Sequence, residues 1–279
     1  MSEVIFTDTV TPLMLNAELC GELADEALYG MAADILSREN GMLKVRMRYC
    51  YEGYVLAEAV LETDSAGEWE SSVTHLVIAP FADIMSEPSF TSHIIKTLPR
   101  GGRLAVQHPD SEDGGQDAEW LPASLACGEK GFVRARSVRA ISIWSGPEGE
   151  LRANVAADAK LYLGAQYRWG GKSHAGIDCS GLASMAYMLG GLYIYRDASI
   201  VDGFPVREIT AEAARTGDLL FWDGHVALYL GDNRYIHSTG RSSGVVINSL
   251  DPEAHDFRED LAAVKKWGSV FAGKERGAS

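Results

Sequence analysis

The chain reads as a multidomain protein: two small all-β barrels followed by an α+β domain. Three observations predict this. Short strand patterns in residues 1–63 recur in 72–145. The turn-rich stretch Ser145-Gly146-Pro147-Glu148-Gly149 then breaks the pattern. Beyond it, helical spacing gives way to alternating strands. A chain of 279 residues has room for two or three domains.

In the first segment, Met42-Leu43-Lys44-Val45-Arg46-Met47-Arg48 alternates as a half-buried strand, and Glu52-Gly53-Tyr54-Val55 follows it. Residues 64–71, rich in small and charged side chains, read as a linker. In the second segment, His75-Leu76-Val77-Ile78-Ala79 and Gly102-Arg103-Leu104-Ala105-Val106-Gln107 are strands. The stretch from Lys130 to Val138 parallels Glu52 to Val60, and this repeat of strands and turns predicts two barrels of one plan. Pro109 to Gly115 reads as an exposed loop. In the third segment, 152–279, Ala153 to Leu163 and residues 179–189 have helical patterns, and 164–176 is a glycine-bearing loop. Residues 216–250 alternate as strands, and 256–267 read as a final helix.

Composition narrows the function. The net charge of −14 disfavours nucleic acid, which calls for a basic face, and disfavours adsorption to an anionic membrane or polymer. No stretch reaches the length needed to span a bilayer. The N-terminus has no basic start, no long apolar run and no small-residue cleavage site, so we expect a cytoplasmic protein. Oligomeric state is not readable from the sequence. Cys20, Cys50, Cys127 and Cys179 form no Cys-x-x-Cys pair and no zinc or disulfide pattern. The first three sit among apolar or small residues and read as buried, inert thiols.

Cys179 differs. It follows Asp178 and opens the apolar helical stretch Leu182, Ala183, Met185, Ala186, Leu189. The positive end of a helix dipole there favours a thiolate and predicts a lowered pKa. Alone, such a cysteine reads more readily as a small core residue. His225 and His237 add a base. Strand 225–230 returns through 234–238, and a three-residue turn at 231–233 sets Leu230 opposite Arg234 and Ala227 opposite His237. Both histidines then share a face as diagonal neighbours, about 7 Å apart at Cβ. A four-residue turn sends them to opposite faces. His174, in the loop five residues before Cys179, is a rival base. The chain has no zinc-peptidase helix motif, phosphate-binding glycine loop or serine nucleophile elbow.

Together these pieces resemble the NlpC-type family of papain-like cysteine peptidases that cut bacterial cell-wall peptides. The resemblance is carried by Tyr167-x-Trp169-Gly170-Gly171, Asp178-Cys179-Ser180-Gly181, Arg196-Asp197-Ala198-Ser199, Gly217-Asp218-Leu219-Leu220-Phe221, His225 to Gly231, and Tyr235-Ile236-His237. It implies a papain-like third domain with Cys179 as nucleophile, His225 as base and His237 as the orienting third member, and no metal or organic cofactor. A resting thiolate–imidazolium pair is the matching expectation. The N-terminal repeat resembles the bacterial SH3-like domains of the γ-D-glutamyl-L-diamino-acid endopeptidase branch. That branch implies a murein peptide with a free N-terminal L-Ala as substrate, in peptidoglycan recycling. It also implies a substrate groove lined by Tyr167, Asp178, Ser180 and Ser199, with Glu22 and Tyr51 from the first SH3-like domain. Asp178 is the residue expected to meet the substrate ammonium. The competing readings are a secreted hydrolase of intact wall, a thiol amidase or acyltransferase on the same fold, and a non-catalytic wall-binding protein.

Overall fold

The structure, a computed structural model, describes residues 2–107, 119–142, 144–261 and 263–272. The expected loop at 109–115 lies outside the described residues. The chain forms two compact units. The first is Met1–Ile141 with Lys172–His174, and the second is Ser142–Gly171 with Ala175–Ser279.

The first unit holds two seven-stranded sheets. One comprises β1 (Glu3–Phe6), β2 (Val10–Met14), β3 (Leu23–Leu28), β4 (Ala32–Glu39), β5 (Met42–Met47), β6 (Glu52–Leu56) and β7 (Val60–Thr63), in the order β3-β2-β6-β5-β4-β1-β7. A short helix α1 (Ala66–Ser72) follows. The other sheet comprises β8 (His75–Val77), β9 (Phe81–Met85), β10 (Ile94–Pro99), β11 (Arg103–Val106), β12 (Trp120–Ser124), β13 (Lys130–Arg134) and β14 (Val138–Ala140), in the order β10-β9-β13-β12-β11-β8-β14. The two orders match strand for strand. β6 and β13 carry the sequence repeat, and each runs into a 3-10 turn, Ala57–Ala59 or Ala135–Ser137, before the last strand of its sheet.

The strand alternation has its usual cause. Leu43, Val45 and Met47 are buried while Lys44 and Arg46 reach out to Glu52 at 2.9 and 2.7 Å. Gly53 and Gly131 occupy the same place in the repeat, where β6 and β13 close against β2 and β9. A Cβ there would lie 2.9 Å from the Leu13 Cβ or 2.6 Å from the Met85 carbonyl oxygen, so the crossing requires glycine.

Residues 64–71 are not a linker. α1 buries Ala66 and Trp69, and the Trp69 indole N–H donates to the Gly30 carbonyl at 2.8 Å. Tyr29, from the turn after β3, joins the core of the second sheet, and its hydroxyl accepts from the Ala126 N–H at 3.0 Å. The two sheets thus share one body. The pair β15 (Lys172–Ser173) belongs to it as well, although sequence spacing assigns these residues to the loop of the third domain. Lys172 and Asp25 are fully buried and paired at 2.7 Å, while Glu26 accepts from the backbone N–H groups of Lys172 and Ser173 at 2.8 and 3.1 Å.

The second unit contains α2 (Glu148–Lys160), β16 (Gly176–Ile177) and α3 (Cys179–Met188). Its sheet of β17 (Arg207–Ile209), β18 (Leu219–Trp222), β19 (His225–Gly231), β20 (Arg234–Thr239), β21 (Gly244–Ser249) and β22 (Lys266–Ser269) has the order β17-β22-β18-β19-β20-β21. Every residue of α3 is buried, which makes it the central helix of this unit. α2 starts five residues before the predicted Ala153, because Pro147 ends the preceding extended chain at the N-cap and Glu148 and Glu150 suit the first turn. The expected helix over 256–267 is instead a 3-10 turn at Glu259–Leu261 and strand β22. The strand is drawn into the sheet by pairing with β17 and β18. Tertiary pairing overrides local helix propensity there. Among the described residues, no helix is long and apolar enough to cross a membrane.

The Gly131 contact makes a direct test. Gly131→Ala should destabilise the first unit by ~1–3 kcal/mol, because the methyl meets backbone. Gly67→Ala in α1, with open space at its Cβ, should be neutral or slightly stabilising. Urea unfolding followed by tryptophan fluorescence measures both, and equal effects would refute the close-packing account.

Candidate active site

Asp178 ends an extended segment and caps α3, accepting from the Gly181 N–H at 2.5 Å. Its other oxygen accepts from the Gly170 N–H at 2.8 Å. The Arg196 guanidinium meets both oxygens, at 3.1 and 3.2 Å, and also donates to Ser180 Oγ at 2.8 Å and to the Gly171 carbonyl at 3.3 Å. Asp178, Ser180 and Arg196 are all buried. Gly181 is required by contact, since a Cβ there would lie 2.2 Å from the Gly171 carbonyl oxygen.

Cys179 is the first residue of α3, behind this cap. Tyr167 lies close enough to the thiol and to Asp178 for both to add to the effect of burial in raising its phenol pKa. Ser180 and Ser199 line one pocket together with Tyr195, Asp197, Val206 and Phe221. The structure therefore gathers Tyr167, Asp178, Cys179 and Ser180, and puts Ser199 beside Ser180. It corrects one expectation. Asp178 is not an open carboxylate awaiting an ammonium group, because Arg196 already matches its charge. Glu22, immediately before β3, and Tyr51, between β5 and β6, lie in the first unit.

The β19–β20 hairpin positions the histidines. Its turn has two residues, Asp232 and Asn233, both with positive φ, as a type I′ turn needs. One extra residue, Leu230, sits between the pairs Tyr229↔Tyr235 and Gly231↔Arg234. The expected three-residue turn is thus a two-residue turn plus a bulge. Both arrangements consume the same number of residues, so Leu228 still faces Ile236, but Gly231 rather than the expected Leu230 faces Arg234. His225 falls on the same face as His237. The His225 Nε2 lies 2.8 Å from the His237 Nδ1.

The line continues to a residue the sequence reading missed. The His237 Nε2 lies 2.9 Å from the Asn248 Oδ1, and the Asn248 Nδ2 donates to the Asp256 carbonyl at 2.6 Å. The signal is a polar residue directly after Val245-Val246-Ile247 on the next strand, diagonal to His237 in a register that pairs His237 with Val246. The sequence places Arg196 in a motif but carries no sign of its pairing with Asp178. The rival base His174 belongs to the first unit, where its Nδ1 lies 3.2 Å from an Arg100 Nη1. Burial and the Arg100 charge lower its pKa.

Burial dominates the electrostatics. It pushes the Cys179 thiol up to about 11, Asp178 adding to the rise, while N–H groups of Val226 and Ser180 oppose it. Burial also pushes His225 down to about 4 and His237 to about 3. Every shift favours the neutral form. Taken singly, each shift opposes the expected resting ion pair and favours a thiol beside a neutral imidazole. The other cysteines are also reversed from expectation. Cys20, Cys50 and Cys127 are exposed at turns, and Cys179 is the buried one. Among the described residues, no group of three or more acidic, histidine or cysteine side chains is arranged to hold a metal ion.

Peptide-resolved mass spectrometry of iodoacetamide labelling against pH checks this charge state. Cys179 of the free enzyme should label slowly near neutrality and keep accelerating to beyond pH 9, since its thiolate appears only as pH approaches about 11. A plateau from about pH 6 upward would show a resting thiolate.

A model for the NlpC/P60 family matches residues 164–258. Dipeptidyl-peptidase 6 of Lysinibacillus sphaericus is 42% identical over 263 residues, covering 93% of this chain and 96% of that one. A gamma-D-glutamyl-L-lysine dipeptidyl-peptidase of Bacillus subtilis (strain 168) is 30% identical over 159 residues, 53% of this chain and 50% of that one. The crystal structure of an NlpC/P60 family protein from Bacillus cereus aligns with a TM-score of 0.73 at 19% identity, covering 90% of this chain and 95% of that one, which shows a shared fold.

Proposed function

We propose that this chain, which belongs to the NlpC/P60 family of cysteine peptidases, hydrolyses the bond between γ-D-glutamate and an L-diamino acid in murein peptides with a free N-terminal L-Ala. The observation that carries the reading is the Cys179 thiol at the head of α3, with the line His225–His237–Asn248 on the neighbouring strands. The similarity to the Bacillus subtilis gamma-D-glutamyl-L-lysine dipeptidyl-peptidase supports the choice of substrate. The net charge of −14 supports a small soluble fragment over the anionic wall itself, and with it a place in peptidoglycan recycling in the cytoplasm.

In this mechanism the Cys179 Sγ attacks the γ-carbonyl carbon of the D-glutamyl residue. Its proton passes to His225 as the S–C bond forms, the neutral forms that burial favours on both groups being the starting point. The His225 Nε2 is engaged by His237, so Nδ1 is the nitrogen that receives the proton. The Cys179 N–H at the head of α3, which has no partner within the helix, faces the developing oxyanion. His225 then returns the proton to the leaving amine of the diamino acid. A water, deprotonated by His225, attacks the thioester carbon and releases L-Ala-D-Glu as the C–S bond breaks, and the His225 proton returns to the Cys179 Sγ. Tyr167, Ser180 and Ser199 line the substrate groove in this reading.

Selection for a free N-terminus needs a smaller charge term than an open Asp178 would supply. Arg196 keeps that carboxylate paired whether or not an ammonium arrives. Nα-acetylation of the L-Ala should lower kcat/KM by about tenfold, ~1.4 kcal/mol. The measurement compares L-Ala-γ-D-Glu-L-diamino-acid peptides with free and acetylated amines, with Cys179→Ala as the inactive control. Equal rates on both peptides, or ready release of peptides from intact sacculi, would contradict the proposal. Turnover by Cys179→Ala would contradict the assignment of the nucleophile.

A further inference from the structure

The hydrogen bonds behind the histidines have a fixed direction that can be read from a single end. The Asp256 carbonyl can only accept, so the amide group 2.6 Å from it is the Asn248 NH2. Asn248 therefore turns its oxygen, an acceptor only, to the His237 Nε2 at 2.9 Å. The His237 Nε2 must carry a hydrogen. A neutral imidazole has one N–H, so the His237 Nδ1 is a bare acceptor. The His225 Nε2, 2.8 Å away, must then be the donor, and the His225 Nδ1 is bare. The opposite tautomers would set two lone pairs against each other inside the protein. His237 is fully buried and Asn248 nearly so, leaving little water to relieve that conflict.

We propose that Asn248 is a positioning residue that fixes the tautomers of both histidines and so leaves the His225 Nδ1 free to receive the thiol proton. The inference rests on the reading of Cys179 as nucleophile and His225 as base. Two features hold the anchor in place. Arg234, at the start of β20, grips the Asp256 carboxylate at 2.8 Å. A bridge between Ser249 and Phe257 fixes the chain on either side of the Asn248–Asp256 contact. The downward pKa shifts of both histidines keep the chain of bonds in its neutral, polar form near pH 7. As His225 takes up a proton, its Nε2–H donates more strongly to His237, and the order of bonds already points the right way.

The test is 15N NMR of histidine-labelled protein at pH 7.5, with His225 and His237 assigned by single substitution. Wild-type protein should show Nε2–H and bare Nδ1 on both rings. In Asn248→Leu the tautomers of His237 and His225 should become mixed. The same variant should lose about 100-fold in kcat with KM within about twofold, because the base is partly blocked while the groove is untouched. An Nδ1–H on either ring of the wild-type protein overturns the proposal, even if the variant does not fold. Wild-type tautomers or wild-type kcat in a folded Asn248→Leu also overturn it. Activity retained in Cys179→Ala would instead sink the peptidase reading and leave the tautomer result standing, so the two failures are distinct.

Discussion

The Asp178–Arg196 ion pair is the interaction on which the site depends. It is buried, bidentate and surrounded by further bonds: the Gly170 and Gly181 N–H groups on the carboxylate, Ser180 and the Gly171 carbonyl on the guanidinium. One carboxylate thereby ends the extended approach to α3, caps the helix and holds the glycine turn across from it. Cys179, the next residue, has its backbone set by the same contacts. A buried pair of this kind adds little net stability over an apolar replacement. Removing one partner strands the other charge, at a cost of about 3–5 kcal/mol. A substitution of Asp178 consequently disturbs the helix start and Arg196 together, and its effect on substrate choice cannot be isolated from that.

Burial creates the second constraint. Trp222 packs against His225 and Tyr235 against His237, and burial favours the neutral form of both imidazoles and of the Cys179 thiol. The helix end favours a thiolate, yet burial and the Asp178 charge outweigh it. Reactivity then rests on proton transfer during attack, and that requires a correctly oriented base. The β19–β20 hairpin supplies the orientation through register, and the Asn248–Asp256 contact closes the far end of the line.

Much of this was legible in the sequence because its signals are local. The repeat from Glu52 and from Lys130 exposed two sheets of one strand order. The two histidines fell on one face because a three-residue turn and a two-residue turn with a bulge are equivalent in count. What was hidden depends on distant pairing. Trp69 gave α1 a buried anchor in a stretch whose composition reads as a linker. Lys172 left its sequence neighbours to pair with Asp25, and Lys266 to Ser269 became a strand only because β17 and β18 offered edges. Asn248 lies on a third strand from His225, and a diagonal neighbour cannot be seen until the sheet order is known. Cys50 and Cys127 lie in turns whose neighbours Tyr49 and Leu125, not the cysteines, enter the core, and Cys20 lies in a turn that is exposed throughout.

Trapping the covalent intermediate tests the account most directly. The enzyme would be mixed with an L-Ala-γ-D-Glu-L-diamino-acid peptide, quenched in acid within milliseconds, digested and analysed by mass spectrometry. The account predicts an L-Ala-D-Glu acyl group, as a thioester, on the peptide that contains Cys179. Turnover with no adduct at any quench time, an adduct on another residue, or an adduct that still carries the diamino acid would contradict it.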